Sequence, residues 1–211
     1  MNLPLSYPMS QGDLFEIRQE LPNGLLYRPG FLSPAEEREL ISHIVALPFR
    51  EARFREYTAR RRVVRFGAGD YLESEPDQET DFPRIEFPPF LDDVRARVAV
   101  WLERPETDFV HGLITEYAAG TPIGWHRDAP HFEIVAGISL ANACRMRFRA
   151  FADKQSIFGL DLKPRSIYVM QDNIRWNWEH SVAPVKAMRY SITLRTLAAE
   201  KSPPLASNRG R

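Results

Sequence analysis

Three residues of the sequence have the chemistry of metal ligands. His126 and Asp128 are separated by one residue, and His180 follows beside the aromatic pair Trp176 and Trp178. In an extended strand alternate side chains point to the same side, so His126 and Asp128 can reach one ion. Two imidazoles and one carboxylate on one face of a metal form the facial triad of non-haem Fe(II) oxygenases. The spacing therefore predicts a metal site with open positions for a co-substrate and dioxygen.

The same three residues have a simpler interpretation. A histidine two positions before an aspartate often occurs by chance, and many histidines are surface residues with ordinary hydrogen bonds. Taken alone, neither His126-x-Asp128 nor His180 requires a metal.

A second pattern indicates an anion site. Along the segment Arg189–Arg195, alternation places two arginines on one face together with Ser191 and Thr193. Arginine is costly to bury unless it is paired, so an inward-facing strand predicts a bound small dianion. A dicarboxylate would suit bidentate contacts with guanidinium groups. The alternative is a surface strand with exposed arginines.

Composition limits the class of protein. The chain has 211 residues, 44% hydrophobic and 27% charged, which suits one large domain. No apolar run approaches a membrane span, so we expect no membrane partner. The single cysteine, Cys144, fits a reducing cytoplasm, and we expect a cytoplasmic monomer. The 28 basic and 28 acidic residues cancel, which excludes a wholly basic nucleic-acid coat but leaves room for a local basic patch.

Local signals divide the chain into helices followed by strands. Ser33 to Glu36 is a capping box with proline at the first helical position, and a second helix is predicted from about Pro89 to Glu103. A strand is predicted at Leu14–Ile17 and another at Leu25–Tyr27. Later strands are predicted at Val110–Tyr117, Ile134–Leu140, Arg145–Phe151, Leu160–Leu162, Ser166–Gln171, Ile174–His180 and Arg189–Thr196. This layout predicts an α+β protein with a jelly-roll core.

The segment between the two helices has divided charge. Arginines crowd residues 50–65, interleaved with Phe54, Tyr57 and Phe66, and acidic residues crowd positions 70–81. Arginine for phosphates and aromatic rings for bases is typical of single-strand binding. The alternative is a solvated loop whose two halves pair with each other.

The order of these motifs resembles the AlkB family of Fe(II)- and 2-oxoglutarate-dependent dioxygenases. The resemblance covers Leu113–Leu197, including Ile114–Gly120 before the metal motif and Gly137–Leu140 after it. It implies a double-stranded β-helix (jelly roll) core with two main helices in the N-terminal half and a nucleotide-recognition lid. It also implies a single domain over residues 1–211, with lid and helices at about 13–109, the catalytic jelly roll at about 110–197 and a disordered tail at 201–211.

The resemblance also implies roles for individual residues. Fe(II) would be held by His126, Asp128 and His180. By the same resemblance, 2-oxoglutarate would be held by Tyr117, Thr115, Arg189, Ser191 and Arg195, with Arg189 at the distal carboxylate and Arg195 at the carboxylate beside the keto group. Thr115 and Ser191 replace asparagines that are usual in the family, and both can still form hydrogen bonds.

The substrate contacts are less directly implied. Arg61 and Arg62 open a segment similar to one in family members that act on nucleic acids, and Trp125 stands beside the metal motif. Repair members commonly carry an acidic residue where this chain has Pro130, followed by His131. His131 either contacts the substrate or caps a loop, and the resemblance does not transfer the base preference.

The expected activity is oxidation by Fe(II), 2-oxoglutarate and O2, giving succinate and CO2. The substrate would be a modified base in single-stranded or flipped-base nucleic acid, either alkylated DNA or RNA, tRNA included, which the enzyme would demethylate or hydroxylate. One alternative is the same oxygenase chemistry on a protein side chain or a small molecule. The other is a module that keeps the fold without the metal.

Overall fold

The structure, a computed structural model, describes residues 21–54, 57–67 and 85–198. The predicted strand Leu14–Ile17, the acidic stretch 70–81 and the predicted tail 201–211 lie outside these ranges. Within them, no helix is long and apolar enough to cross a membrane.

Both predicted helices of the N-terminal half are present. The first, α1, spans Pro34–Ile44, and α2 spans Pro89–Trp101, two residues shorter than predicted. The capping box that starts α1 is formed, because the Glu36 backbone N–H donates to Ser33 Oγ at 3.2 Å and the Ser33 N–H donates to Glu36 Oε2 at 2.6 Å. Each helix buries one apolar face in a common core, with Ile44 and Val98 fully enclosed.

Antiparallel strands in two sheets form most of the rest of the described chain. Their bounds are β1 Leu25–Arg28, β2 Arg50–Phe54, β3 Tyr57–Gly67, β4 Phe109–Tyr117, β5 Ile123–His126, β6 Phe132–Leu140, β7 Cys144–Ala150, β8 Ile157–Leu162, β9 Ile167–Met170, β10 Trp178–Val182 and β11 Arg189–Leu197. The larger sheet has the order β1-β9-β6-β11-β4-β3-β2, and the smaller has β5-β10-β7-β8. The predicted jelly-roll core is confirmed.

Strand β11 lies at the centre of the larger sheet, between β4 and β6. Its apolar residues Ile192 and Leu194 pack in the same core as the two helices. Because side chains alternate along a strand, the other face of β11 points away from the helices. Arg189, Ser191, Thr193 and Arg195 therefore face the space between the two sheets.

Three elements differ from the sequence prediction. The predicted strand Ile174–His180 begins instead as a short helix, α3, over Asp172–Asn177, and only then becomes β10. The chain must leave the larger sheet at Met170 and enter the smaller one, and Asp172 reverses it with a φ of 49°. Strand β5 was not predicted. The basic run is not a loop, since β2 and β3 form a hairpin that extends the larger sheet beside β4.

Candidate active site between the two sheets

The structure brings the three predicted metal ligands together. His126 ends β5 and is the cross-strand partner of His180 on β10, with ring centroids 4.2 Å apart. His126 Nδ1 donates to the Gly124 carbonyl at 2.9 Å, which directs Nε2 away from its own strand. Asp128 follows β5, and its Oδ2 lies 3.4 Å from His180 Nε2. Pairing of β5 with β10 thus joins residues more than 50 positions apart in sequence.

Burial sets the protonation of these side chains. Desolvation lowers the pKa of His180 to about 3 and also lowers the pKa of His126. Burial, the largest single effect, would raise the pKa of Asp128, but the surrounding charges, with Arg195 the largest of them, together outweigh it and hold the pKa well below its usual value. Both imidazoles are therefore neutral and the carboxyl is ionised at neutral pH.

This donor set has the chemistry that Fe(II) requires. Metal binding needs neutral imidazoles and an ionised carboxylate, and all three side chains have those forms. Among the described residues no three His, Cys, Asp or Glu side chains are already spaced to hold a metal ion, so the donors are gathered without being at coordination distances. Asp128 also turns its other oxygen toward a cation of the protein.

That cation is Arg195. Its Nε and Nη2 donate to Asp128 Oδ1 at 3.1 and 2.7 Å, and both side chains are nearly buried. Its Nη1 lies 3.2 Å from Nδ1 of His111, a buried histidine on β4. The guanidinium also lies 5.3 Å from the ring centre of Phe132. Arg195 therefore points inward, as predicted, but its first partner is the metal-ligand candidate Asp128.

Arg189, at the other end of β11, has a different environment. It is only 2% exposed, and its Nε donates to Ser139 Oγ at 3.2 Å. Its guanidinium lies 4.8 Å from the ring centre of Tyr117. Its Nη1 is buried and has no hydrogen-bond partner among the residues that the structure describes. A buried cation with an unused donor is costly unless a ligand supplies an acceptor, so this pocket fits a carboxylate of 2-oxoglutarate.

The remaining predicted co-substrate residues lie beside Arg189. Tyr117 is its cross-strand partner, and the Tyr117 hydroxyl is 3.5 Å from Ser191 Oγ. Thr115 is the cross-strand partner of Ser191, and both are buried. The residues that replace the two family asparagines therefore share the inner face with the arginine.

The structure separates the predicted substrate contacts. Arg61 is the partner of Tyr117 across β3 and β4, so it lies on the row that leads to Arg189. Arg62 occupies the opposite face, where Nε donates to Glu116 at 2.7 Å. Because adjacent residues of a strand face opposite sides, only Arg61 of the predicted pair lies on the inner face.

Trp125 and His131 also differ in position. Trp125 lies on the outer face of the smaller sheet, with its ring centre 5.2 Å from Arg147 and 4.3 Å from Arg149. It therefore does not line the interior. His131 is half-buried in the loop after Asp128, with its ring against Phe132 at a centroid distance of 4.2 Å.

Sequence reasoning missed one residue that supports the site. Arg175 on α3 is buried, and its Nη2 donates to the backbone carbonyls of Asp128, Ala129 and Phe132 at 3.3, 2.6 and 2.7 Å. These contacts tie the loop after the metal motif to the helix before His180. This role of Arg175 was missed because a strand was predicted over Ile174–His180, and a strand there would not direct Arg175 toward that loop.

A comparison with protein families identifies the domain. The model of the 2OG-Fe(II) oxygenase superfamily matches residues 24–204. The chain belongs to this superfamily. Its enzymes are oxidoreductases that use Fe(II), 2-oxoglutarate and O2, so the predicted dioxygenase domain and its cofactors are confirmed at this level. When bound, this iron and co-substrate activate dioxygen to oxidise a substrate carbon.

One curated protein is similar in sequence, an uncharacterized protein of Acanthamoeba polyphaga mimivirus named L905. It is 28% identical over 105 residues, which cover 42% of this chain and 49% of the viral protein. The chain thus spans about half the length of the curated relative that it matches.

Solved structures share the fold at low sequence identity. OsALKBH1 matches with a TM-score of 0.62 and 16% identity, covering 84% of this chain and 99% of that one. A prolyl hydroxylase from Trichoplax adhaerens, in complex with a hypoxia inducible factor peptide fragment, matches with a TM-score of 0.60 and 15% identity, covering 83% and 84%. Both similarities are to the fold.

Proposed function

We propose that the protein is an AlkB-type oxygenase that demethylates or hydroxylates a modified base in single-stranded or flipped-base nucleic acid. The order of its motifs, from His126 to Arg195, supports the AlkB assignment, and the fold similarity to OsALKBH1 agrees with it. Two groups of residues around the site, the hairpin and the outer face of the smaller sheet, support a nucleic-acid substrate.

The observation that carries the substrate proposal is the position of the basic hairpin. Strand β3 extends the inner face of the larger sheet beyond β4, and Arg61 stands there in register with Tyr117. Arg61 is close enough to His126 to lower the pKa of that imidazole, after the larger effect of burial. A strand of nucleic acid whose base enters between the sheets would meet this arginine with its phosphates.

The outer face of the smaller sheet supplies a second group of suitable contacts. Arg127, directly between the metal-ligand candidates His126 and Asp128 in sequence, lies 4.4 Å from the ring centre of Phe151, which is 48% exposed. Trp125 packs against Arg147 in the same way. Neither Arg127 nor Arg147 forms an ion pair with a carboxylate in the described part of the chain. An exposed ring at Phe151 and a partly exposed one at Trp125, each beside a guanidinium group that no carboxylate of the described residues pairs with, favour stacked bases and phosphates.

The residues between the two sheets would then have separate roles in binding the metal and the co-substrate. His126, Asp128 and His180 would hold the iron, and Arg189 with Tyr117 would hold 2-oxoglutarate. Arg195 would orient Asp128, and Arg175 would hold the loop that carries it. The two sheets would exclude water from the reacting carbon.

The test is turnover of methylated oligonucleotides with Fe(II) and 2-oxoglutarate. We expect succinate and a mass loss of the methyl group on single strands, a smaller signal on matched duplexes, and none with His126→Ala. Arg127→Ala should weaken single-strand binding, whereas Arg38→Ala, an exposed change on α1, should not.

Turnover of a proline-containing peptide or a small molecule, with no change in any oligonucleotide, would contradict the nucleic-acid proposal and leave the oxygenase assignment standing. The absence of succinate with every substrate class would contradict the oxygenase assignment of the whole protein.

A further inference from the structure

His111 is a buried histidine that the metal and co-substrate assignments leave without a role. It lies on β4 directly across from Arg195 on β11, and it is only 2% exposed. The other inward arginine of β11, Arg189, has Tyr117 as its cross-strand partner on β4. Each of these arginines is thus paired on β4 with a ring that can fix the direction of its guanidinium group.

The contact between His111 and Arg195 has only one possible polarity. Arginine nitrogens donate hydrogen bonds and do not accept them, so His111 Nδ1, 3.2 Å from Arg195 Nη1, is the acceptor. Burial holds the pKa of His111 well below its usual value, and the charge of Arg195 lowers it further, so the imidazole is neutral. A neutral imidazole that accepts at Nδ1 carries its proton on Nε2.

The proton on Nε2 of His111 gives the fold nothing in return. Nε2 is buried and has no hydrogen-bond partner among the described residues, and a buried donor without a partner destabilises the folded state. The ring also packs against Phe132 at a centroid distance of 5.0 Å, a contact that a phenylalanine would make equally well. The part of the imidazole that a phenylalanine could not replace is therefore the acceptor Nδ1.

This acceptor completes the set of contacts around Arg195. Nε and Nη2 of Arg195 donate to Asp128 Oδ1, and Nη1 is the remaining nitrogen. With Nη1 held by His111, every nitrogen of the guanidinium group has a partner and its plane is fixed. Arg195 then occupies one oxygen of Asp128, and the other, Oδ2, stays beside His180 Nε2 at 3.4 Å.

We propose that His111 is a positioning residue of the metal site, whose Nδ1 holds Arg195 in the orientation that leaves Asp128 Oδ2 directed toward the metal ion. His111 acts through Arg195 and does not itself contact the metal or the co-substrate. The inference rests on the Fe(II) site proposed above and does not depend on which substrate is oxidised. It extends the support of Asp128 from β11 to β4.

The test is calorimetric titration of Mn(II) into the full chain, which needs no turnover. His111→Phe keeps a ring against Phe132 and removes the acceptor, so Mn(II) affinity should fall about tenfold, as for other residues that orient metal ligands. His111→Asn is the conservative rescue, because its amide oxygen can accept in place of Nδ1, and it should recover most of the affinity. His43→Phe is the matched control and should bind Mn(II) like the wild type, because the exposed His43 of α1 also packs against a phenylalanine ring, 5.0 Å from that of Phe90, but lies outside the site.

A double variant tests whether the effect passes through Arg195. In a chain that already carries Arg195→Met, His111→Phe should change Mn(II) affinity by less than twofold. An undiminished tenfold loss in that background would overturn the inference, as would Mn(II) affinity within twofold of the wild type in His111→Phe alone.

Chemical denaturation separates positioning from a purely structural role. The loss of Mn(II) affinity in His111→Phe should occur without a matching fall in the denaturant midpoint of unfolding. Equal losses of affinity and of midpoint in His111→Phe and His111→Asn would show a structural role only and would overturn the inference. A wild-type chain that does not bind Mn(II) would overturn both this inference and the metal site on which it rests.

Discussion

The two ends of strand β11 carry the same side chain in opposite electrostatic situations. At one end Arg189 is buried beside hydroxyls and the Tyr117 ring, and its Nη1 has no hydrogen-bond partner in the described part of the chain. At the other end Arg195 is already matched by the ionised carboxylate of Asp128. The strand therefore presents one cation that is ready for an external anion and one that is engaged inside the protein.

The difference assigns separate tasks to two residues that the sequence presents as a pair. A buried charge without a partner costs stability and is retained where a ligand supplies the partner. A buried charge with a carboxylate partner holds that carboxylate in one orientation. We therefore expect Arg189 to bind the co-substrate, whereas Arg195 holds Asp128 in addition to any contact with the co-substrate.

The largest expected effect is on stability and comes from removing Arg195, the arginine that is paired with Asp128. Arg195→Met leaves the Asp128 carboxylate buried without its cation, which should cost about 3–5 kcal/mol of unfolding free energy. Chemical denaturation measures this loss. Saturating Mn(II) should restore part of it, because the metal ion replaces the missing positive charge. A variant as stable as the wild type would show that Asp128 does not depend on Arg195.

The next largest effect is on 2-oxoglutarate binding and comes from removing Arg189, at the other end of β11. Arg189→Met removes the guanidinium donor that would bind a carboxylate of 2-oxoglutarate, a contact worth about 1.5–3 kcal/mol, so the affinity for 2-oxoglutarate should fall about 10- to 100-fold. The free energy of unfolding should stay equal or rise, because an unpaired buried charge is removed. Equal destabilisation by Arg189→Met and Arg195→Met would abolish the contrast between the two ends.

A smaller effect on stability and metal affinity is expected from Arg175 on α3, which holds the loop that follows Asp128. Arg175→Ala leaves one buried and two part-buried carbonyls without their donor, costing about 2 kcal/mol of unfolding free energy and about tenfold in Mn(II) affinity. Arg175→Lys keeps one donor and should recover part of the metal affinity. Calorimetry with Mn(II) measures both variants, and unchanged metal affinity in Arg175→Ala would exclude a positioning role.

The smallest effects are expected at the hairpin. Arg61→Ala should weaken single-strand binding and reduce the dependence of log affinity on log salt concentration by about 1, the value of one lost phosphate contact. Arg62→Ala breaks a partly buried pair with Glu116 on the other face of the sheet, which should cost about 1 kcal/mol of unfolding free energy and leave strand binding unchanged. Fluorescence anisotropy at several salt concentrations compares them, and equal losses would reject the proposed facing of β3.

Prediction from sequence succeeded where the decisive pattern is local. Alternation along a strand is a property of a few neighbouring residues, so the inward face of β11 was readable from Arg189 and Arg195. The cap of α1 at Ser33 is likewise formed by residues three apart. The segment 172–177 was predicted wrongly, because its aromatic composition favours a strand while the crossing between the sheets requires a turn of helix there.

The sequence by itself determined the kinds of donor and their direction along each strand: two imidazoles, a carboxylate and two arginines in the order of an oxygenase domain. Only the tertiary structure decided which of them meet. The Arg195–Asp128 pair joins residues 67 positions apart, and the Arg175 contacts span 43 to 47. Such pairs depend on how two sheets stack and on which strand lies beside which, and no local pattern of residues contains that information.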